Sequence, residues 1–200
     1  DRSVSRGLGD VYKRQDYTLQ NKDIAIQKSN IFFIGSLDWL PNQTGLIWFL
    51  EEVWSKILNE FPQAHFKIAG RNIPDWIKEK KIKHVEILGE VESAIDFMQN
   101  NDIMIVPLFS GSGMRVKIIE AMALAKPIVA TTLAAEGIAY THQKNIVIAD
   151  DANAFAAHLL KLLKNKSLGK EIGNNARLFV EQEHENKVLI KRLLAFYEGL

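Results

Sequence analysis

No cysteine occurs among the 200 residues. Disulfides and thiolate metal sites are therefore excluded, and the composition suits a reducing compartment. No apolar run approaches the roughly 20 residues that a membrane-crossing helix needs. Neither sign of charge prevails, with 25 basic residues against 24 acidic ones. That balance removes any global electrostatic case for binding nucleic acid or a membrane surface. His65, His84, His142, His158 and His184 are dispersed and show no metal-ligand spacing, so no metal site is expected. What remains is ordinary for a soluble domain: 47% hydrophobic and 24% charged residues, in a chain long enough to bury a sizeable core.

The first fifteen residues stand apart. "SRGLGDVYKRQ", residues 5–15, matches codon for codon one reading frame of a transposase-based sequencing-library adapter. Residues 1–15 are read as an adapter artefact, expected to be disordered and set aside from fold reasoning. Without them 21 basic residues face 22 acidic ones. Residues 16–30 read as a polar linker, and the expectation is that a true upstream segment has been lost.

From residue 31 the pattern becomes regular. "IFFIG" (31–35), "HFKIAG" (65–70), "VEILG" (85–89), "NDIMIVPLF" (101–109), "PIVAT" (127–131) and "NIVIAD" (145–150) are short apolar runs. Rich in β-branched and aromatic residues and ending in Gly, Asp or polar groups, they predict buried parallel strands. Helical stretches lie between them. Pro41 opens one in which Leu46, Phe49, Leu50, Val53 and Ile57 fall at helical spacing. Strands alternating with helices predict an α/β, doubly wound, Rossmann-like sheet of six parallel strands with right-handed crossovers. Residues 166–200 predict an amphipathic helical tail carrying Leu178, Phe179, Leu189, Leu193, Leu194 and Phe196.

The segment "FSGSGMRVKIIEAMALAKPIVAT" (109–131) carries the chemistry. Gly111 and Gly113 permit unusual backbone angles and close approach by a ligand. The following helix, read as 113–126, is almost wholly apolar and predicts burial, with Arg115 in its first turn and Lys117 facing Glu120 three residues on. Two readings of these charges stand. One is an ordinary helix pair beside a solvated arginine. The other is an anion site at a helix N-terminus, where free N–H groups and the dipole favour negative charge. The stretch is not a P-loop, a dinucleotide GxGxxG or a GxSxG nucleophile elbow. Elsewhere, Asp150–Asp151 reads as a helix cap rather than a metal pair. Trp39, Trp48, Trp54 and Trp76 read as packing residues, and Arg71 is either solvated or a phosphate contact.

Several stretches together resemble the C-terminal, donor-binding domain of family-4 glycosyltransferases of the GT-B fold: "GSLDWLPNQTGLIWFLEEV", "PQAHFKIAGR", "VEILGEV", "PLFSGSGMRVKIIEAMALAKPIVAT", "AAEGI" and "NNARLFVEQ". The resemblance covers about residues 31–199, read as one nucleotide-sugar-binding domain within 31–200, and implies the strand order 3-2-1-4-5-6 with a C-terminal helical tail. It implies transfer of a sugar from a nucleotide-diphosphate donor of the UDP or GDP type, with retention and without a metal or other cofactor. Arg115 and Lys117 would be the catalytic cations, neutralising the leaving diphosphate. Gly35, Val91, Gly111, Ser112, Gly113, Met114 and Glu120 would bind the donor, with Glu120 on the ribose hydroxyls and the backbone at Gly113 and Met114 on the diphosphate.

It further implies a missing N-terminal acceptor domain, so this fragment alone would be inactive. The expected acceptor is lipid-linked or a polysaccharide, and the expected setting is cytoplasmic, peripheral at the inner face of the membrane. Three departures from the family pattern matter. Ser112 stands where many members carry a first, sugar-facing glutamate. No basic residue follows the first strand, where Asp38 and Asn42 occur instead, so Arg115 and Lys117 are expected to supply that charge. Ala125 replaces a helix-ending glycine, which argues against a left-handed cap there. The rival readings are a GT-B nucleotide-sugar epimerase domain and a degenerate, non-catalytic nucleotide-binding module.

Overall fold

The computed structural model describes residues 30–183; the adapter-like segment 1–15, nearly all of the linker, and the tail positions Leu189, Leu193, Leu194 and Phe196 lie outside them. Six parallel strands form one sheet: β1 (Asn30–Ile34), β2 (His65–Ala69), β3 (Val85–Gly89), β4 (Ile103–Val106), β5 (Ile128–Ala130) and β6 (Val147–Ile148). Their order is β3-β2-β1-β4-β5-β6, as the family resemblance implies. Asn30, assigned to the linker from sequence, already belongs to β1 and pairs with His65.

Side-chain alternation along the strands divides the core into two layers. Ile31, Phe33, Phe66, Ile68, Ile105 and Val129 face one layer, whereas Phe32, Ile34, Met104, Val106, Ile128 and Ala130 face the other. Successive strand side chains point to opposite faces, so both faces must be apolar when helices cover both. The first layer is closed by α1 (Leu40–Trp48), α2 (Trp54–Glu60), α3 (Asp75–Lys78) and α6 (Ala152–Lys164), and the second by α4 (Ala94–Gln99) and α5 (Val116–Ala123). The last described helix, α7 (Lys166–Glu183), spans both layers, with Ile172 in the first and Ala176 in the second.

Helix α1 runs into α2 through a π turn at Phe49–Val53, where the Trp54 N–H reaches the Phe49 carbonyl. The sequence predicts one unbroken α-helix here. The wider turn changes the helix phase, so that Trp54 is buried beside Val53 and Ile57, and its indole N–H donates to the Lys83 carbonyl at 3.0 Å. Gly45 lets α1 approach the sheet edge, because a Cβ there would lie 1.6 Å from the Pro107 carbonyl oxygen. These contacts seat the start of α1 against the end of β4.

Asp151 caps α6 by accepting from the N–H groups of Asn153 and Ala154, so the cap reading of Asp150–Asp151 holds. The expectation at Ala125 does not. Ala125 adopts φ +54°, while Lys126 N–H donates to Ala121 O and Ala125 N–H to Met122 O. That bond pair is a Schellman cap with alanine in the left-handed position. The tertiary setting imposes it: Gly173 of α7 packs so closely that a Cβ there would lie 2.0 Å from the Ala125 oxygen.

Candidate functional site

In an open parallel sheet, loops at the carboxyl ends of the strands diverge where the strand order reverses, leaving a crevice. Here that point lies between β1 and β4. The loop leaving β4 carries Gly111 at φ +94° and Gly113 at φ +88°, so both glycines serve a left-handed backbone as expected. Gly111 has a second reason: a Cβ would come 2.7 Å from the Trp39 ring. The loop after β1 and the loop after β4 therefore meet at Trp39 and Gly111.

Arg115 sits where they meet. It is extended, at φ −89° and ψ 91°, and precedes α5, so it is not in the first helical turn as the sequence predicts. The helix begins at Val116, three residues after the start read at 113, because the loop backbone is still turning at Arg115. Nor is the side chain solvated, since it is only 7% exposed. Nη1 donates to the carbonyls of Ser112 and Gly113, and the guanidinium lies 5.2 Å from the Trp39 ring centre. Nε and Nη2 are buried with no hydrogen-bond partner among the described residues. Buried donors normally find acceptors, so this guanidinium retains capacity for one.

Lys117 turns away from Glu120, which corrects the helix-pair reading. Its Nζ donates to the Ile34 carbonyl at 3.2 Å and to Asn42 Oδ1 at 3.1 Å, and stands 4.7 Å from the Phe33 ring centre. Burial, aided by the nearby Arg115 charge, lowers its pKa to about 7. Each cause disfavours the ammonium, and none of its partners carries a negative charge. Gly35 completes the cradle: a Cβ there would lie 3.0 Å from Asn42 Nδ2 and 3.2 Å from Lys117 Nζ.

Glu120 is half-buried and forms no ion pair among the described residues. Burial raises its pKa above the usual carboxylate range. Ser112 is exposed and contributes its carbonyl to Arg115. Met114 is 48% exposed at the loop tip, 3.9 Å from where a Cβ on Gly137 would stand. Val91 follows β3 and is half-buried against the second core layer. Arg115, Lys117, Gly35, Gly111, Ser112 and Gly113 thus share the β1–β4 edge. Burial along α5 is also incomplete, for Val116 is 49% exposed.

Sequence reasoning missed what joins the loops. Asn42 is buried and serves Lys117. Thr131 Oγ1 donates to the Leu108 carbonyl and accepts from the Leu108 N–H, tying the β4 loop to the end of β5. Asp150 accepts from the Thr132 N–H and hydroxyl. Beside these ties lies an open groove of about 590 Å³ whose walls include Phe109, Leu133, Glu136, Tyr140 and Asp150, but neither Arg115 nor Lys117. Two histidine pairs also form, His65 stacked on His84 and His142 edge-on to His158. Among the described residues no group of three or more His, Cys, Asp or Glu is placed to hold a metal, and no helix is long and apolar enough to cross a membrane.

A guanidinium with unsatisfied donors, an amine whose partners are all neutral, left-handed glycine backbone and the N-terminal turn of α5 are features that suit an anion with several oxygens. Residues 28–165 match the family model described as Glycosyl transferases group 1. A 44.6 kDa protein from the cps region of Klebsiella pneumoniae is 31% identical over 172 residues, covering 81% of this chain and 44% of that protein. The chain therefore spans less than half of that relative's length. The C-terminal domain of a group 1 glycosyl transferase family protein (LpcC) from Francisella tularensis has a similar structure, with a TM-score of 0.65 at 17% identity over 80% of this chain and 87% of that one. HepE of Anabaena, crystallised with UDP and glucose, gives a TM-score of 0.68 at 16% identity over 86% of this chain and 49% of its own. At such identities the structural likeness establishes the fold.

Proposed function

Because this chain belongs to the group 1 glycosyltransferases, we propose that it is the donor-binding domain of an enzyme that transfers a sugar from a nucleoside diphosphate. The observation that carries this reading is Arg115, a nearly buried guanidinium at the β1–β4 switch point whose Nε and Nη2 have no hydrogen-bond partner among the described residues. A diphosphate supplies the missing acceptors. Arg115 addresses it through its fork of donors and Lys117 as a point charge. As the sugar–oxygen bond breaks, negative charge grows on the leaving diphosphate, and both cations are already in place to stabilise it. They occupy the role that a metal clamp fills in other enzymes, and on that ground the transfer is metal-independent.

Backbone groups of Gly113 and Met114 hold the diphosphate, Gly35 leaves it room beside Lys117, and Glu120 accepts from the ribose hydroxyls. Val91 borders the base. Ser112 makes a weaker sugar contact than a glutamate would. Transfer proceeds with retention, as the family resemblance implies, to an acceptor held by a second domain. The chain spans less than half of a relative's length, and donor binding is the part of the reaction assigned to it. Calorimetric titration with UDP, GDP and the matching nucleosides tests the assignment. Arg115→Ala weakens diphosphate binding and spares the nucleoside, whereas Glu120→Ala weakens both. Equal diphosphate affinity in the parent and in Arg115→Ala overturns the reading.

A further inference from the structure

We propose that Asn42 is a positioning residue for the donor diphosphate: its neutral amide holds the Lys117 ammonium at the carboxyl end of β1 without cancelling the charge. The inference rests on the donor-site reading above and assigns a role to a residue outside the glycine-rich segment.

Asn42 lies in the first turn of α1, just after Pro41, and is 5% exposed. Its two amide atoms have separate tasks. Nδ2 donates to the Ser36 carbonyl at 2.8 Å, and Oδ1 accepts from Lys117 Nζ at 3.1 Å. A carbonyl oxygen only accepts and an ammonium only donates, so these partners allow one orientation of the amide. The amide therefore ties the β1 loop to a side chain 75 positions later in the sequence.

The charge balance around Lys117 explains why a neutral partner stands there. From β1 it meets the Ile34 carbonyl and the Phe33 ring; from α1, the Asn42 amide. Its own segment adds Arg115, which repels it. Asp38, the acid of the β1 loop, is held by the Ser36 hydroxyl and the Asn72 amide, and Glu120 makes no bridge to Lys117. An aspartate at position 42 has the same shape but would form a buried ion pair, neutralising the cation before a ligand arrives. Asparagine places the ammonium and leaves its charge for the diphosphate. Glycine at position 35 leaves the pair room for this placement, since any Cβ there would press on both Asn42 and Lys117.

The test compares the full chain with Asn42→Asp, Asn42→Ala and Lys117→Met. UDP and GDP are titrated beside uridine and guanosine, and the Lys117 ε-methylene is followed by NMR between about pH 6 and 9, which brackets the depressed titration. Asn42→Asp is expected to weaken diphosphate binding by about tenfold or more, spare the nucleosides, and move the Lys117 titration up by about one unit or more. Asn42→Ala keeps the low titration, and its diphosphate affinity falls several-fold because the ammonium loses its hold. If Asn42→Asp binds diphosphate like the parent and Lys117 titrates unchanged, the inference is wrong. If Lys117→Met weakens UDP while Asn42→Asp does not, only the role of Asn42 falls. If Lys117→Met binds UDP like the parent, or the parent binds neither diphosphate, the donor-site reading fails and takes this inference with it.

Discussion

An ammonium among neutral dipoles costs folding free energy, and Lys117 carries that cost. Its pKa falls from 10.5 to about 7 in the folded chain. Between those values the unfolded chain binds the extra proton, so stability rises as pH increases from about 7 to 10.5 and is lowest below 7. The full effect is on the order of 5 kcal/mol. Denaturant melts at neutral and alkaline pH should show this slope, and Lys117→Met should remove it while stabilising the chain near neutrality. Glu120 acts with the opposite sign. Its folded pKa is raised by burial, so its ionisation costs stability as pH climbs through the folded value. Glu120→Gln should therefore flatten the mildly acidic limb of the profile. In a chain tuned for stability alone, neither group belongs where it is; the proposed donor site accounts for both.

Among the elements, the junction of α5 with α7 holds a strained backbone position. A non-glycine residue in the left-handed region costs about 1 kcal/mol, and Ala125 holds that conformation because its carbonyl must meet Gly173 across the helix contact. Ala125→Gly should stabilise the chain by up to about 1 kcal/mol, read as a higher melting temperature. Gly173→Ala should destabilise it by about 1–3 kcal/mol or more, since the added methyl overlaps backbone that cannot rotate away. At α6, loss of the Asp151 cap through Asp151→Ala should cost about 1 kcal/mol in the same melts. The strained cap also terminates α5, and α5 positions Lys117, so a change at Ala125 that alters UDP affinity would reveal coupling between the two ends of one helix.

For the molecule as a whole, ligand binding and folding are linked. A diphosphate that binds only the native state should stabilise it by about 2.7 kcal/mol at a concentration one hundred times its Kd, and Arg115→Ala should reduce that shift in thermal melts at the same concentration. Trp39, Leu40, Phe109, Met114 and Val116 are the exposed large apolar residues flanking the β1–β4 loops, and a second domain closing over this edge would cover them. The strands and the buried stripe of α1–α2 were legible in local pattern, because strand and helix periodicity follow from which side chains must avoid water; the strand order came from the family resemblance. The glycine turn was legible too, since left-handed backbone selects glycine. The partners of the charges were not. Spacing places Lys117 beside Glu120 on a helix wheel, but the ammonium instead crosses to β1 and α1, where Asn42 and the Ile34 carbonyl satisfy it. The first residue of α5, the π turn at Phe49–Val53 and the left-handed Ala125 likewise arise from packing between segments distant in the chain. A repeating pattern records how each segment meets water; how one segment meets another depends on distances that exist only once the sheet has assembled.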